Sequence, residues 1–187
     1  MYIVGPARFV VLLLLCLLLL ALAPLRPAAA ASAPEIDAAV AAALEQFQVE
    51  VPAARDLTRK AKGILVFPNV IKAGLGIGGA YGEGALRVGG KTVGYYNTVA
   101  ASIGLQLGAE SRAEVILFMT DAALEQFRNS DGWEIGVDGS VALISTGVAG
   151  EIDTTTVAEP VIGFIFGVQG LMANLSLEGA KISQLEK

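Results

Sequence analysis

The 187 residues include one cysteine and no histidine, and their formal net charge is −5. Imidazole catalysis therefore loses its residue at the outset. Thiolate catalysis and zinc sites of the usual ligand sets lose theirs once the N-terminal segment that carries Cys16 is removed. The acidic balance also argues against nucleic acid as a partner.

The chain opens with Arg8, an unbroken apolar run over residues 9–23, then Pro24, Arg26, Pro27 and small residues through Ala33. That order is a secretory signal peptide over residues 1–31, because the run of 15 residues is shorter than the roughly 20 that a spanning helix needs. Cleavage is expected near Ala31 or Ala33. A retained N-terminal anchor is the alternative, and lipid attachment at Cys16 is disfavoured by Leu15 and the leucines that follow. Loss of residues 1–31 removes Arg8, Arg26 and Cys16, leaving 11 Lys and Arg against 18 Asp and Glu, a net charge of −7. Residues 32–187 are enough for one domain with one core.

In residues 34–48, Ile36, Val40, Ala43, Leu44 and Phe47 recur at helical spacing behind Glu35 and Asp37, which predicts an amphipathic helix. A second helix is predicted from Pro52, with Ala54, Leu57 and Ala61 on its apolar side and Arg55, Arg59, Lys60 and Lys62 forming a local basic patch. Gly63 ends it, and residues 64–67 read as a short buried strand stopped by Pro68 and Asn69. Residues 74–84 follow as a strand with Leu75, Ile77 and Tyr81 on one face and almost nothing but glycine on the other. A bare strand face implies close approach by something else, since glycine is entropically costly there.

Gly89 and Gly90 predict a two-residue hairpin between strands 85–88 and 92–96. Residues 98–108 repeat the large/small alternation and are a candidate to pack on the glycine face, or to be another strand under the same helix. A separate strand at 114–119 precedes a short helix over 121–129, and a hairpin around Asp138 and Gly139 joins strands 133–137 and 141–145. Residues 151–159 read as a loop or exposed strand, and Ile162, Phe164, Phe166 and Val168 share a face beyond Pro160, with a phase change at Gly170. The fold class expected is α+β: a curled, largely antiparallel sheet, in part closed as a barrel, packed with two N-terminal helices and one short internal helix. An open two-layer sandwich is the alternative.

Gly74, Gly76 and Gly79 satisfy a dinucleotide fingerprint, but glycines continue to Gly84, which forbids the helix that motif needs. Glu83, Glu110, Glu114, Glu151 and Asp153 show no spacing that singles out an acid–base pair, and exposed charge is the better account of them. Glu151, Asp153 and the threonines 154–156 lack the loop pattern of a calcium site. Asn174 begins a glycosylation sequon inside a predicted strand. Tyr81, Tyr95, Tyr96, Phe164 and Phe166 are read as core or barrel lining, with an apolar ligand cavity or bilayer contact as the alternative.

The blocks Ala61-Lys62-Gly63-Ile64-Leu65-Val66-Phe67 and Val70-Ile71-Lys72-Ala73-Gly74-Leu75-Gly76-Ile77-Gly78-Gly79 resemble the SYLF domain family. The likeness continues through residues 102–110, 115–119 and 122–127 to Leu175, Glu178 and Gly179, about Pro52 to Lys187 in all. The family is a lipid-binding domain, also described as an actin-binding domain in eukaryotic actin-patch proteins. The resemblance implies binding of phospholipid head groups without catalysis, cofactor or metal, through positions Arg55, Arg59, Lys60, Lys62 and Lys72. Export removes actin as a native partner. The expected function is an exported, non-enzymatic protein that binds an anionic membrane surface through a basic N-terminal helix. A structural or protein-interaction module of the cell envelope without lipid binding is the alternative.

Overall fold

A computed structural model describes residues 30–145, 159–170, 176–177 and 179–187, without the side chains of 102–107 and 145. The elements run α1 (Ala33–Glu50), α2 (Ala54–Lys60), β1 (Gly63–Val88), β2 (Lys91–Phe118), α3 (Asp121–Arg128), β3 (Trp133–Glu134), β4 (Ala142–Ser145), β5 (Val161–Gly170) and β6 (Lys181–Leu185). Residues 31–187 form one compact unit. Its mixed sheet curls through 230° into a half-barrel, as the α+β expectation required.

Two long strands make most of that sheet. β1 and β2 form one antiparallel hairpin from Gly63↔Phe118 to Val88↔Lys91, closed by Gly89 and Gly90. Both glycines have positive φ, 57° and 81°, the backbone a type I′ turn demands. Pro68 and Asn69 do not stop the first strand. They oppose Ala113 alone, between the pairs Phe67↔Glu114 and Val70↔Arg112, and so form a bulge that absorbs the proline's missing N–H. The strand expected at 114–119 is likewise the far end of β2.

β2 carries β1 on one edge, and β6 (at 95–99) and β5 (at 110–118) on the other. β4 lies parallel to β5, and β3 pairs β6. The hairpin predicted around Asp138 and Gly139 is therefore absent. A tight loop replaces it, in which the Glu134 N–H donates to Asp138 Oδ2 at 2.7 Å and the Gly136 N–H donates to Gly139 O at 2.9 Å. The asparagine–aspartate type of side-chain bond to backbone competes here with strand pairing.

Strand alternation splits the core in two. α1 lays Ile36, Val40, Ala43 and Phe47 against Val66, Ala85, Val115, Leu117, Ile162, Phe164 and Phe166. Phe47 meets Phe164 edge-on with ring centres 4.9 Å apart. Each such fully buried side chain stabilises the fold by about 1.5–3 kcal/mol. On the opposite face Leu65, Phe67, Leu86, Tyr96, Ile116 and Phe118 gather with Leu124 and Phe127 of α3 and with Trp133. β5 is buried on both faces from Val161 to Phe166, which accounts for its uninterrupted apolar run.

The glycine face belongs to that second core, and its neighbour is the same strand. A Cβ at Gly82 would meet Val70 Cγ2 at 2.8 Å and Asn69 O at 3.0 Å, and one at Gly84 would fall on the Val66 carbonyl oxygen. Contact between two stretches of one sheet face requires the concave side of a strong curl. Residues 98–108, one candidate to pack on this face, instead pair edge to edge with β1, with a break of register at Gly76. The segments at 151–158, including the candidate calcium ligands, and at 171–175, including the sequon, lie outside the described residues.

Candidate functional site

Basic residues meet where the start of β1 comes near the turn of the long hairpin. α2 is only seven residues long and is held by its buried Ala54 and Leu57, which leaves Arg55, Arg59 and Lys60 exposed. Between α2, the second half of α1 and the β1–β2 turn lies a cleft of about 310 Å³. Leu44 and Gln48 of α1, Thr58 and Arg59 of α2, and Ala61, Lys62 and Ile64 form two of its walls. Arg87, Gly89 and Gly90 close the third. The Arg87 guanidinium is anchored to the turn, with Nη2 donating to Gly90 O at 2.6 Å.

The cations of the cleft are only loosely neutralised. Arg59 pairs with Asp56, three residues before it, where both side chains are mostly exposed. Lys62 Nζ lies 3.6 Å from Asp121 Oδ2, again with both groups open to solvent. Exposed pairs of this kind contribute about 0–1 kcal/mol, so an incoming anion competes with them easily. Of the five positions assigned by resemblance, the cleft takes Arg59 and Lys62. Arg55 and Lys60 stand outside it on α2, and Lys72 is 8% exposed within β1, opposite Glu110. Arg87 was not among the five. It sits in a predicted strand with no sequence link to α2, and only the curl of the sheet brings it near.

A second charged constellation is internal. Glu110, Arg112 and Glu114 alternate along β2 and so share its concave face, and all three are at most 4% exposed. Arg112 Nε donates to Glu114 Oε1 at 2.8 Å, Nη1 to Glu110 Oε1 at 3.3 Å and Nη2 to Ser176 O at 3.0 Å. Burial pushes the Glu114 carboxyl above its ordinary range, opposed by Arg112 and aided by the charge of Glu110. Exposed charge was the expectation for both glutamates, and it is wrong. Glu-x-Arg-x-Glu within one strand was the available signal, since the two-residue period places all three side chains together. Glu83 differs from both: burial raises its carboxyl, but the Tyr81 hydroxyl and Lys187 outweigh that and hold it below the ordinary range.

The third feature is apolar. β1 bends sharply at Gly76, whose φ is +78°, and there one residue of β1 faces three of β2, between Leu75↔Leu107 and Ile77↔Ile103. Leu75 and Ile77 at this corner are 75% and 73% exposed. No charged residue occurs in 73–82 or 99–109. Tyr81, expected to line the core, is also exposed, whereas Tyr96, Phe164 and Phe166 are buried as expected. Tyr95 is half-buried, and its hydroxyl donates to Asp37 Oδ2 at 3.0 Å. Among the described residues no helix is long and apolar enough to cross a membrane.

The family model for Ysc84, described as Las17-binding protein actin regulator, matches residues 99–187. Residues 99–187 thus carry a match to the SYLF family. The matched span starts inside β2 and takes in α3 and β3 to β6, so the glycine-faced strand and the basic helix lie before it. SYLF is a family of binding domains, linked to lipid and actin binding, and is not known for catalysis. No curated protein matches the chain.

Proposed function

We propose that this protein binds the surface of an anionic membrane. The observation that carries the reading is the uncharged corner at Gly76, where Leu75 and Ile77 stand about three-quarters exposed on a strand whose two ends are built into the core. Side chains so exposed lose apolar hydration by entering a bilayer interface, at about 25 cal/mol per Å². Arg55, Arg59 and Lys60 on α2 supply a second contact, to anionic head groups, each adding about 1 kcal/mol near such a surface. Both devices hold the protein at the interface without a spanning helix.

Vesicles of phosphatidylcholine and phosphatidylglycerol test this reading by co-sedimentation. The double variant Leu75→Ser, Ile77→Ser loses at least tenfold in binding at any salt, whereas Arg55→Glu with Lys60→Glu weakens binding chiefly at low salt. Undiminished binding by the serine variant would sink the reading. Failure of the wild type to bind any vesicle, together with a stable partner in a crosslinked pull-down, would favour an envelope protein partner instead.

Export belongs to the same proposal. The basic, apolar and small-residue succession of residues 1–31 supports removal of that segment in an extracytoplasmic space. Intact mass of the protein recovered from its native compartment checks it. A species starting near Ser32 or Pro34 is the expected result, and the full-length mass would establish a retained anchor.

A further inference from the structure

The cleft between α2 and the β1–β2 turn has features that a flat membrane contact does not need. Three cations reach it from three separate elements: Arg59 from a helix, Lys62 from the connection that follows, and Arg87 from the far end of β1. No Asp or Glu is among its described lining residues, although acids outnumber bases in the chain. Leu44, Ala61 and Ile64 add an apolar side, and Thr58 and Gln48 add polar atoms. At about 310 Å³ the space is at the small end of ligand sites, of a size for one head group and not for an acyl chain.

We infer that this cleft binds a single phosphate monoester dianion, with Arg87, Arg59 and Lys62 around the phosphate and the ester carbons on Leu44 and Ile64. The inference rests on the membrane reading only in taking a lipid head group as one source of that ester; a soluble phosphate ester is the other. Arg87 is the residue that makes the site specific. Its guanidinium uses one N–H on Gly90 O, which fixes the planar fork at the rim and leaves other donors for phosphate oxygens. Lys62 and Arg59 act as point charges whose present carboxylate partners are solvent-exposed and readily displaced. Gly89 and Gly90 contribute by what they lack, since no side chain projects from the turn over the opening.

Titration of the purified protein with glycerol 3-phosphate and with inorganic phosphate, followed by phosphorus NMR and calorimetry in low salt, tests the inference. A parallel arm measures binding to phosphatidylcholine vesicles containing either phosphatidic acid, a monoester, or phosphatidylglycerol, a diester, matched for charge. The expected result is one saturable site for which Arg87→Gln and Lys62→Gln each weaken binding at least tenfold, while Arg128→Gln, on α3 and outside the cleft, changes it less than twofold. Saturation by glycerol 3-phosphate assigns a soluble source. Saturation only with vesicles, favouring phosphatidic acid and dependent on Arg87, assigns the lipid. If Arg87→Gln fails to fold, Lys62→Gln carries the test, because its side chain is half exposed on a connecting segment. Equal losses from Arg128→Gln and Arg87→Gln would reduce the cleft to general surface charge and overturn the inference. Absence of any Arg87- or Lys62-dependent binding would overturn it as well, and vesicle binding that still depended on Leu75 and Ile77 would then leave the membrane reading standing.

Discussion

Gly84→Ala is expected to destabilise the protein by about 3 kcal/mol, the upper end of what overpacking costs. For a domain of this size that corresponds to a fall of about 6–12 °C in melting temperature. The added methyl group would fall on the Val66 carbonyl oxygen and stand 2.7 Å from Phe67 Cδ1, so backbone of the same strand has to give way. Gly79→Ala, five residues earlier in the same glycine run, meets only Ala100 O at 3.8 Å. It needs no positive φ and is expected to change stability by less than about 0.5 kcal/mol, or to raise it slightly by restricting the unfolded chain. Urea unfolding of the two variants separates the roles of two glycines that look alike in the sequence. Equal costs at both would show that the bare face serves strand propensity and not the self-contact of the curl.

Arg112→Met has an effect of similar size for a different reason. It leaves Glu110 and Glu114 buried without their cation, and breaking a buried pair by removing one partner costs about 3–5 kcal/mol. The pH dependence identifies the cause. Glu114 is already raised above its ordinary value of 4.5 in the folded protein, so the folded state holds its proton more tightly than the unfolded state. Its favourable contribution is full below that unfolded value and is lost as pH rises through the folded one. Without Arg112 the folded pKa climbs further, and the difference in unfolding free energy between variant and wild type is expected to shrink on going from pH 7 to pH 4. A difference independent of pH would place the cost in lost packing of the arginine stem. Replacing all three residues by apolar ones of similar volume is far milder than the single change, because a well-packed apolar group offsets the desolvation the triad incurs.

The elements of this fold that are legible in the sequence are those that local patterns specify. Ile36, Val40, Ala43 and Phe47 at helical spacing become the buried stripe of α1, and the Gly89 and Gly90 turn fixes the register of the longest hairpin. The glycine face was recognisable as a site of close approach, yet its partner was not. What lies against Gly84 is Val66, 18 residues earlier in the same strand, and only the curl of the whole sheet sets that distance. Pro68 misled for a related reason, since a proline that ends an isolated strand is tolerated in a bulge once a partner strand exists. The candidate site divides in the same way. Arg59 and Lys62 follow from helix periodicity, whereas Arg87 depends on where the hairpin end comes to rest. The exposure of Leu75 and Ile77 was hidden because an apolar strand face reads as core whatever lies opposite it.

The long hairpin also has a consequence for the order in which the chain acquires its structure. Gly89 and Gly90 close a loop of two residues, so pairing that starts there costs little chain entropy and propagates outward along 26 residues of β1 and 28 of β2. The zipper has to cross three changes of register, between Arg87 and Leu86, at Gly76 and at Pro68, before Gly63 reaches Phe118. β5 and β6 can join only after the edge of β2 has formed, and they arrive from far along the chain. Such non-local pairing belongs to the slow end of the two-state range. Until those strands dock, the edge of β2 at 95–99 and 110–118 presents unpaired backbone N–H and C=O groups, a template on which another chain could pair.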